Sequence, residues 1–197
     1  MTGVGLFLDR DGTINEEVDF VTSANELHLI EGSAAAIREA NELGLKVIII
    51  TNQSGVARGL LTEQQLLEIH KELLDKLDDL GAHIDAIYYC PHHPEAPLAE
   101  YRVECECRKP KGGMLESAAT EFSLELARCF VIGDRMIDVQ TGNNTGASSI
   151  LVLTGYGKAE LELCKKSGAR IAFVAADLRD AMNHVRSALR QKQPLAS

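Results

Sequence analysis

The sequence lacks the long apolar runs and the basic start that membrane and export signals need. None of its apolar runs approaches the roughly 20 residues of a membrane-spanning helix. Its start, MTGVGLFLDRDGT, has no basic segment and reaches acidic residues at once, whereas a secretory signal peptide begins with a basic region followed by an apolar one. We therefore expect a cytoplasmic protein with no signal peptide and no membrane partner.

The sequence is also short of positive charge and of paired cysteines. It has 20 Lys and Arg residues against 29 Asp and Glu residues, a net charge of −9. Nucleic-acid-binding proteins usually carry a basic field, so we expect no nucleic-acid partner. The sequence has five cysteines, and an odd number argues against a framework in which every cysteine is paired in a disulfide. Two of them, Cys129 on a predicted strand and Cys164 on a predicted helix, are expected to be packing residues.

No internal repeat or low-complexity block interrupts the 197 residues, a length that suits one good-sized domain better than two. Short apolar runs alternate with longer amphipathic segments, which predicts a parallel sheet covered by helices on both faces. We therefore predict an α/β protein, a Rossmann-like three-layer sandwich. Its single domain is expected over residues 1–190, with a frayed tail over residues 191–197.

The apolar runs and the capping residues give approximate bounds for the elements. Strands are predicted at residues 4–9, 46–51, 84–89, 128–134, 148–155 and 170–175. Helices are predicted at residues 33–44, 62–81, 112–123, 136–146 and 177–190. Ser33 is expected to cap the first helix, with Gly44 just after its end. Thr62 and Gln65 have the spacing of a capping box at the start of the second.

Two carboxylates follow the first predicted strand. The stretch LFLDRDGTIN places Asp9 at the end of the strand and Asp11 two residues later. A strand that ends in a polar turn is the plain alternative. The preceding apolar strand and the missing Glu at the twelfth position argue against a calcium loop of the EF-hand type. Two such carboxylates can divide phosphoryl transfer between them: one attacks phosphorus to form an aspartyl-phosphate, and the other protonates the leaving oxygen and later activates water.

Further polar residues follow other predicted strands or precede a predicted helix. Alone, each has a structural explanation: capping, solvated surface charge, or an acidic residue near a helix N-terminus. Functional residues, however, gather at the carboxyl ends of parallel strands, so we expect these to meet at one edge of the sheet. They are Thr51, Asn52, Arg108, Lys109, Asp134 and Asp138.

These residues form four motifs along the chain: Asp9 with Asp11, Thr51 with Asn52, Arg108 with Lys109, and Asp134 with Asp138. Their order and positions resemble those of the haloacid dehalogenase superfamily of phosphotransferases. Its first motif is D-x-D-G-T/V-L/I and its fourth is G-D-x-x-x-D, which GDRMID matches in full. The resemblance covers essentially Val4 to the last predicted strand. It implies that Asp9 is the nucleophile and Asp11 the general acid and base. It also implies that Thr51 hydrogen-bonds the transferring phosphoryl group and that Lys109 neutralises the phosphoaspartate.

The same resemblance implies a catalytic magnesium ion, which takes oxygen ligands and keeps several waters. Asp9, Asp134 and the backbone carbonyl of Asp11 are the expected ligands, and Asp138 is expected to reach the ion through water or to orient the loop. Arg108 can grip a second phosphate in a bidentate way. The candidates for binding substrate are Asn52, Gln53, Ser54, Arg108, Lys109 and Arg135.

Many members of this superfamily carry a cap domain after the first or second motif. Between Gly12 and Lys46 there is room for a loop and one helix, and between Gly55 and Arg108 the core helix and strand use most of the chain. We therefore expect a capless enzyme in which loops form the wall that faces the substrate.

The segment CPHHPEAPLAEYRVECECRKP contains three of the five cysteines. Cys90 and His92 are followed, after twelve residues, by Cys105 and Cys107. Three thiolates and an imidazole suit tetrahedral zinc, and because no coordination position stays open, a structural site is predicted. Free thiols in a loop are the alternative, but free cysteines prefer apolar cores. His93 is the rival ligand, and the resemblance favours His92.

The stretches YYCPHHP, TNQSGVARG and CRKP narrow the resemblance to the family of D-glycero-D-manno-heptose 1,7-bisphosphate 7-phosphatases. Histidinol-phosphatases carry a similar but shorter zinc loop, so the twelve-residue gap favours the heptose family. This implies a magnesium-dependent phosphatase that removes the C7 phosphate of a small phosphorylated sugar. Separately, we expect a monomer. Histidinol-phosphate hydrolysis is one alternative, and a non-catalytic zinc-stabilised binding domain is another. Arg135 stands where the family often has Lys, which leaves the anomer preference open.

Overall fold

The computed structural model describes residues 3–192, and a six-stranded parallel sheet forms its centre. The strand order is β3-β2-β1-β4-β5-β6. Because both faces of such a sheet are covered, its strands are apolar throughout. The strands are β1 Gly5–Leu8, β2 Lys46–Asn52, β3 Ala86–Cys90, β4 Phe130–Gly133, β5 Ser148–Val152 and β6 Phe173–Ala175.

Helices cover both faces of this sheet. The helices are α1 Ser33–Glu42, α2 Ser54–Ala57, α3 Glu63–Asp79, α4 Gly113–Glu121, α5 Met136–Thr145, α6 Gly157–Ser167 and α7 Leu178–Lys192. On one face, Leu6 and Leu8 of β1 pack in the apolar cluster formed with α1, α3 and α7. On the other face, Phe7 packs in a cluster with α4. The predicted three-layer α/β sandwich is therefore confirmed.

The order of the strands determines where a ligand can bind. The chain runs from β1 outward to β3, crosses back, and continues with β4 on the other side of β1. In sheets of this kind, ligands bind outside the carboxyl ends of the strands, at the point where the strand order reverses. That point lies between β1 and β4. In this strand pair, Leu6 lies opposite Phe130 and Leu8 lies opposite Ile132.

The capping predictions were right in two cases and wrong in one. Thr62 and Gln65 form the predicted capping box, and Gly44 follows the end of α1 with a φ of 74°. Ser33, however, is the first helical residue, and Gly32 caps the helix with a φ of 85°. The positive φ, which Gly adopts without strain, turns the chain into the helix one residue earlier than predicted.

Other predicted bounds also shift by a few residues. Cys129 lies just before β4, because a short 3₁₀ turn, Leu126–Arg128, ends there; it is buried, as expected for a packing residue. Cys164 lies buried on α6, in agreement with the prediction. α7 continues through Gln191 and Lys192, the first two residues of the predicted tail, and both are good helix formers. Residues 193–197 lie outside the described part of the chain.

The connections that could hold a cap domain are short of regular structure. Between β1 and α1 the structure has a loop with one 3₁₀ turn, Ala24–Glu26, and the chain from β2 to β3 contains only α2 and α3. Within residues 3–192 there is thus no cap domain after the first or second motif, as predicted. No helix among these residues is long and apolar enough to cross a membrane.

Candidate active site

The predicted polar residues meet at the carboxyl edge of the sheet, around a cavity of ≈ 380 Å³. Asp9 follows β1 and Asn52 ends β2, so two neighbouring strands supply its floor, while Asp134, which follows β4, lies buried beside Asp9 and does not line the cavity. The cavity is lined by nine of the predicted residues, namely Asp9, Asp11, Thr51, Asn52, Gln53, Ser54, Arg108, Lys109 and Arg135. It is also lined by residues that sequence analysis did not single out, among them Glu17, Arg58 and Tyr156.

Asp9 is held in one orientation by its neighbours. Its Oδ1 accepts hydrogen bonds from the Arg10 backbone N–H at 2.8 Å and from Lys109 Nζ at 2.9 Å. Burial raises the pKa of Asp9 to about 6, although the nearby Lys109 ammonium acts in the opposite direction. The carboxyl therefore needs a positive partner to be fully ionised, and Lys109 supplies part of that charge.

Lys109 is a buried ammonium between two carboxylates. Its Nζ donates to Asp138 Oδ1 at 2.6 Å and to the Ile50 carbonyl at 2.9 Å, besides its contact with Asp9. Burial acts to lower the pKa of Lys109, but attraction to Asp138 and Asp9 outweighs it and raises that pKa. Lys109 is therefore a permanent positive charge at the floor of the cavity.

The backbone of Lys109 is fixed by Asn52. Asn52 Oδ1 accepts from the Lys109 N–H at 3.0 Å, and Asn52 Nδ2 donates to the Lys109 carbonyl at 3.2 Å. Both polar atoms of the amide are therefore engaged with the chain itself. These contacts favour a role for Asn52 in placing Lys109, and direct substrate binding by Asn52 stays a prediction.

Three buried carboxylates form a group that could hold a divalent cation. Asp9, Asp134 and Asp138 each offer an oxygen, and these oxygens lie within 4.8 Å of one another. Asp134 Oδ2 accepts from the Tyr156 N–H at 2.7 Å, whereas Asp134 Oδ1 is buried with no hydrogen-bond partner among the described residues. A buried, unpaired carboxylate oxygen is costly unless a cation binds it. The donor set therefore fits Mg²⁺, which prefers oxygen ligands.

Asp138 is occupied by protein partners on both oxygens. Oδ1 accepts from Lys109 Nζ, and Oδ2 accepts from the Arg135 N–H at 3.0 Å. These contacts favour the predicted role of orienting the loop, with Asp9 and Asp134 as the closer ligands to a metal ion. The Asp134 carboxylate itself is packed between two glycines: a Cβ on Gly12 or Gly155 would lie 2.2 or 2.1 Å from its Oδ2.

The pKa values of this carboxylate group lead to a testable pH dependence. Burial, with repulsion from Asp9 and Asp138, raises the pKa of Asp134 from 3.8 to about 8. Since the folded metal-free protein binds this proton more tightly than the unfolded chain does, its stability should fall as the pH rises from about 4 to about 8. Mg²⁺ needs ionised ligands, so we expect it to raise the melting temperature more at pH 8 than at pH 6.

The measurement is thermal unfolding with Mg²⁺ or with EDTA across this pH range. An Asp134→Asn variant serves as the control, and its melting temperature should depend less on both pH and Mg²⁺. An equal Mg²⁺ effect at both pH values in the original protein would contradict the assignment of the cation to these carboxylates.

Asp11 faces the same cavity but has a different environment. Its carboxylate accepts hydrogen bonds from Arg10, Asn15 and Gln53. Burial acts to raise the pKa of Asp11, but the Arg10 guanidinium and the amide donors outweigh burial and lower it. Gln53 Nε2 also donates to Thr51 Oγ1 at 3.0 Å, which links the predicted acid to the predicted phosphate-binding hydroxyl. Sequence analysis did not identify Arg10 or Asn15, although both lie in the first motif.

The four predicted zinc ligands come together at the end of β3. Cys107 Sγ lies 3.1 Å from Cys90 Sγ and 3.2 Å from Cys105 Sγ, and His92 Nδ1 lies 3.4 Å from Cys107 Sγ. Three thiols and one imidazole nitrogen within 4.8 Å of one another are the donor set of a closed zinc site. His93, the rival, lies outside this group and lines the cavity instead.

Hydrogen bonds to the core also hold this loop. Glu63, at the start of α3, accepts from Tyr101 of the loop at 2.9 Å and from Tyr89 of β3 at 2.7 Å. Arg108 Nη1 donates to the His92 carbonyl at 2.9 Å. Arg108 is thus hydrogen-bonded to the backbone of His92, a predicted zinc ligand. The Arg108 side chain also lines the cavity.

The sequence of this chain is similar to those of known phosphatases. The family model described as HAD-hyrolase-like matches residues 106–181. The D-glycero-beta-D-manno-heptose-1,7-bisphosphate 7-phosphatase of Yersinia pestis is 41% identical over 152 residues, which are 76% of this chain and 80% of the relative. The enzyme of that name from Rhodopseudomonas palustris is 46% identical over 140 residues, 71% of this chain and 78% of the relative.

A solved structure shows the same fold. The D,D-heptose 1,7-bisphosphate phosphatase from B. bronchiseptica, complexed with magnesium and phosphate, superimposes with a TM-score of 0.82 at 34% sequence identity. The alignment covers 93% of this chain and 99% of that one. Fold and site together define a phosphatase of the haloacid dehalogenase type, a phosphoric monoester hydrolase. Within this class, the chain belongs to the family of D-glycero-beta-D-manno-heptose-1,7-bisphosphate 7-phosphatases.

Proposed function

We propose that this phosphatase hydrolyses the C7 phosphate of D-glycero-D-manno-heptose 1,7-bisphosphate and releases heptose 1-phosphate. One observation carries the proposal. The buried Asp9–Lys109 pair lies at the floor of a cavity whose lining also contains three guanidinium groups, those of Arg58, Arg108 and Arg135. A substrate with a second phosphate would use both the reactive floor and this positive wall. The relatives named above support the same substrate.

The contacts of Asp9 suit the role of nucleophile. Lys109 and the Arg10 N–H hold one oxygen, which aims the carboxylate. Because Arg10 holds the pKa of Asp11 low in the free site, Asp11 takes up a proton from solvent as the anionic ester binds. As the Asp9 oxygen bonds to phosphorus, the bond from phosphorus to the C7 oxygen breaks, and Asp11 gives this proton to that oxygen. A water then attacks the aspartyl-phosphate, Asp11 takes the water's proton, and Asp9 is released with inorganic phosphate. Lys109 and the Thr51 hydroxyl stabilise the charge on the phosphoryl oxygens.

Two metals are part of the proposal. Asp9, Asp134 and the Asp11 carbonyl would hold Mg²⁺, which supplies positive charge against the carboxylates and the phosphoryl group. Cys90, His92, Cys105 and Cys107 would hold a structural Zn²⁺ that fixes the loop leading to Arg108 and Lys109. The expected cytoplasmic location and monomeric state stay predictions.

Arg108, Arg135 and Tyr156 form part of the cavity wall that would face the substrate. The guanidinium of Arg135 lies over the ring of Tyr156, 4.8 Å from its centroid, and Tyr156 donates from its hydroxyl to Asp19 at 2.6 Å. This stacking fixes the plane of the guanidinium, which a Lys at the same position would not require. Arg135 and Arg108 are therefore the proposed contacts for the distal phosphate, and Ser54 and Gln53 also line the cavity.

A comparison of substrates tests the proposal. Charged hydrogen bonds to the second phosphate are worth about 1.5–3 kcal/mol, so kcat/KM should be about 10- to 150-fold higher for the heptose bisphosphate than for histidinol phosphate. Heptose 7-phosphate, which lacks only the second phosphate, is the matched control and should fall near the lower value. Equal or higher kcat/KM with histidinol phosphate would favour that alternative, and no hydrolysis of any ester would favour a binding domain.

A further inference from the structure

Arg10, which lies between the two aspartates of the first motif, is completely buried. Its relative exposure is 0%, which is rare for an arginine that has no charged partner. Its partner is Asp11: Arg10 Nη2 lies 2.8 Å from both carboxylate oxygens, and Nε lies 3.1 Å from Oδ1. The guanidinium therefore holds this carboxylate from within the core rather than from the cavity.

The two oxygens of Asp11 are held unequally. Oδ1 accepts from Arg10 Nε, from Arg10 Nη2 and from Asn15 Nδ2 at 2.9 Å. Oδ2 accepts from Arg10 Nη2 and from Gln53 Nε2, both at 2.8 Å. Gln53 is the only one of these donors that lies outside the segment 10–15. A bound ester can therefore displace Gln53 from Oδ2 and leave the contacts to Arg10 in place.

The surroundings of Arg10 give it no competing anionic partner. Over residues 3–192, Asp11 is the one carboxylate that forms an ion pair with Arg10. His70, buried close by, is kept neutral because burial, with some repulsion from Arg10, lowers its pKa to about 3. Breaking the Arg10–Asp11 pair would leave the guanidinium buried and unpaired, which is costly. The orientation of Asp11 is therefore tied to the packing of the core.

We propose that Arg10 is a positioning residue for the general acid, and that it turns Oδ2 of Asp11 toward the leaving oxygen. This inference rests on the proposed function, in which Asp11 gives its proton to the C7 oxygen as the bond to phosphorus breaks. Arg10 and Asn15 fix the Oδ1 side, so Oδ2 is the oxygen that carries this proton. Arg10 does not line the cavity, so its side chain acts on the substrate only through Asp11.

The test compares esters with poor and good leaving groups. A sugar alkoxide needs a proton in order to leave, whereas p-nitrophenolate leaves without one. A positioned general acid contributes about 10²- to 10⁴-fold. We therefore expect Arg10→Met to lower kcat/KM about 100-fold for the heptose bisphosphate and only a few-fold for p-nitrophenyl phosphate. Arg10→Lys should recover part of the loss, because Lys supplies the charge but not the planar fork.

Arg186→Met is the matched control, since Arg186 pairs with Glu39 at 2.6 Å between α7 and α1, away from the cavity. It should leave both substrates unaffected. Equal losses on both substrates in Arg10→Met, or no loss on either, would overturn the proposal. If Arg10→Met does not fold, Arg10→Lys decides in the same way: a loss confined to the sugar ester supports the role and an equal loss refutes it.

The proposed function can fail separately from this inference. If the unchanged protein does not hydrolyse the heptose bisphosphate, the substrate assignment is wrong. The comparison then uses any alkyl phosphate that the unchanged protein hydrolyses, and the difference between that ester and p-nitrophenyl phosphate still tests Arg10.

Discussion

Replacing Asp9 by Asn is expected to lower phosphatase activity by about 10⁴-fold or more, a typical cost of removing a nucleophile. The amide has no carboxylate oxygen with which to form an aspartyl-phosphate. The variant should fold, because Asn has nearly the same shape and the change removes one negative charge from a group of three buried carboxylates. Steady-state kinetics with the heptose bisphosphate measure the loss, and mass spectrometry of quenched reactions detects the phosphoenzyme.

Asp75→Asn is the control for this experiment, because Asp75 pairs with Lys71 on the exposed side of α3. It should keep both full activity and the phosphoenzyme. A phosphorylated Asp9→Asn protein, or one with substantial activity, would show that another residue attacks phosphorus. Asp11 would then be the first alternative, although Arg10, Asn15 and Gln53 already engage its oxygens.

Cys107→Ala is expected to lose bound zinc and much of the stability of the loop. Structural zinc is worth about 10–16 kcal/mol to zinc-finger peptides. If a third of this were lost, the melting temperature of a protein of this size would fall by roughly 10 °C. The loss should also lower kcat/KM, because Arg108 and Lys109 directly follow Cys107 in the chain. Metal analysis, thermal unfolding and kinetics on one preparation measure all three effects.

In Cys107→Ala, the loss of local stability should differ between the two parts of the loop. The bonds from Tyr89 and Tyr101 to Glu63 do not depend on metal, so hydrogen exchange should increase more at residues 105–109 than around Tyr101. Cys164→Ala is the control, since this cysteine is buried on α6, away from the zinc-ligand group. A Cys107→Ala protein with its full zinc content and unchanged kinetics would refute the structural zinc site.

Much of the fold could be predicted from the sequence because its signals are local. The apolar runs give the strands, and the Thr62–Gln65 capping box gives the start of α3. The prediction of Ser33 as the cap was wrong because the chain turns at Gly32. The positive φ of Gly32 cannot be read from the sequence pattern. The four residues of α2 are too few to produce a helical period, and the prediction placed Cys164 on a helix without giving the bounds of α6.

The site was only partly predictable for a different reason. The motifs identify which residues gather at the carboxyl edge of the sheet, and the structure brings them together there. They do not give the direction of each side chain, which depends on contacts distant in sequence. Asn52 holds the backbone of Lys109 from 57 residues away. Arg10 turns to the core to hold its neighbour Asp11, and no spacing in the motif distinguishes this from a surface arginine.

The strand order separates two parts of the protein that can change at different rates. Asp9, Thr51 and Asp134 come from or directly follow β1, β2 and β4, three adjacent strands in the interior of the sheet. The loop with Cys90 leaves β3, the strand at one margin. An edge strand has a neighbouring strand on one side only, so an insertion or deletion after it displaces fewer strands than one after an interior strand. Over evolutionary time, a chain with this arrangement can therefore change the part of the substrate wall that this loop carries, while Asp9, Thr51 and Asp134 stay in place.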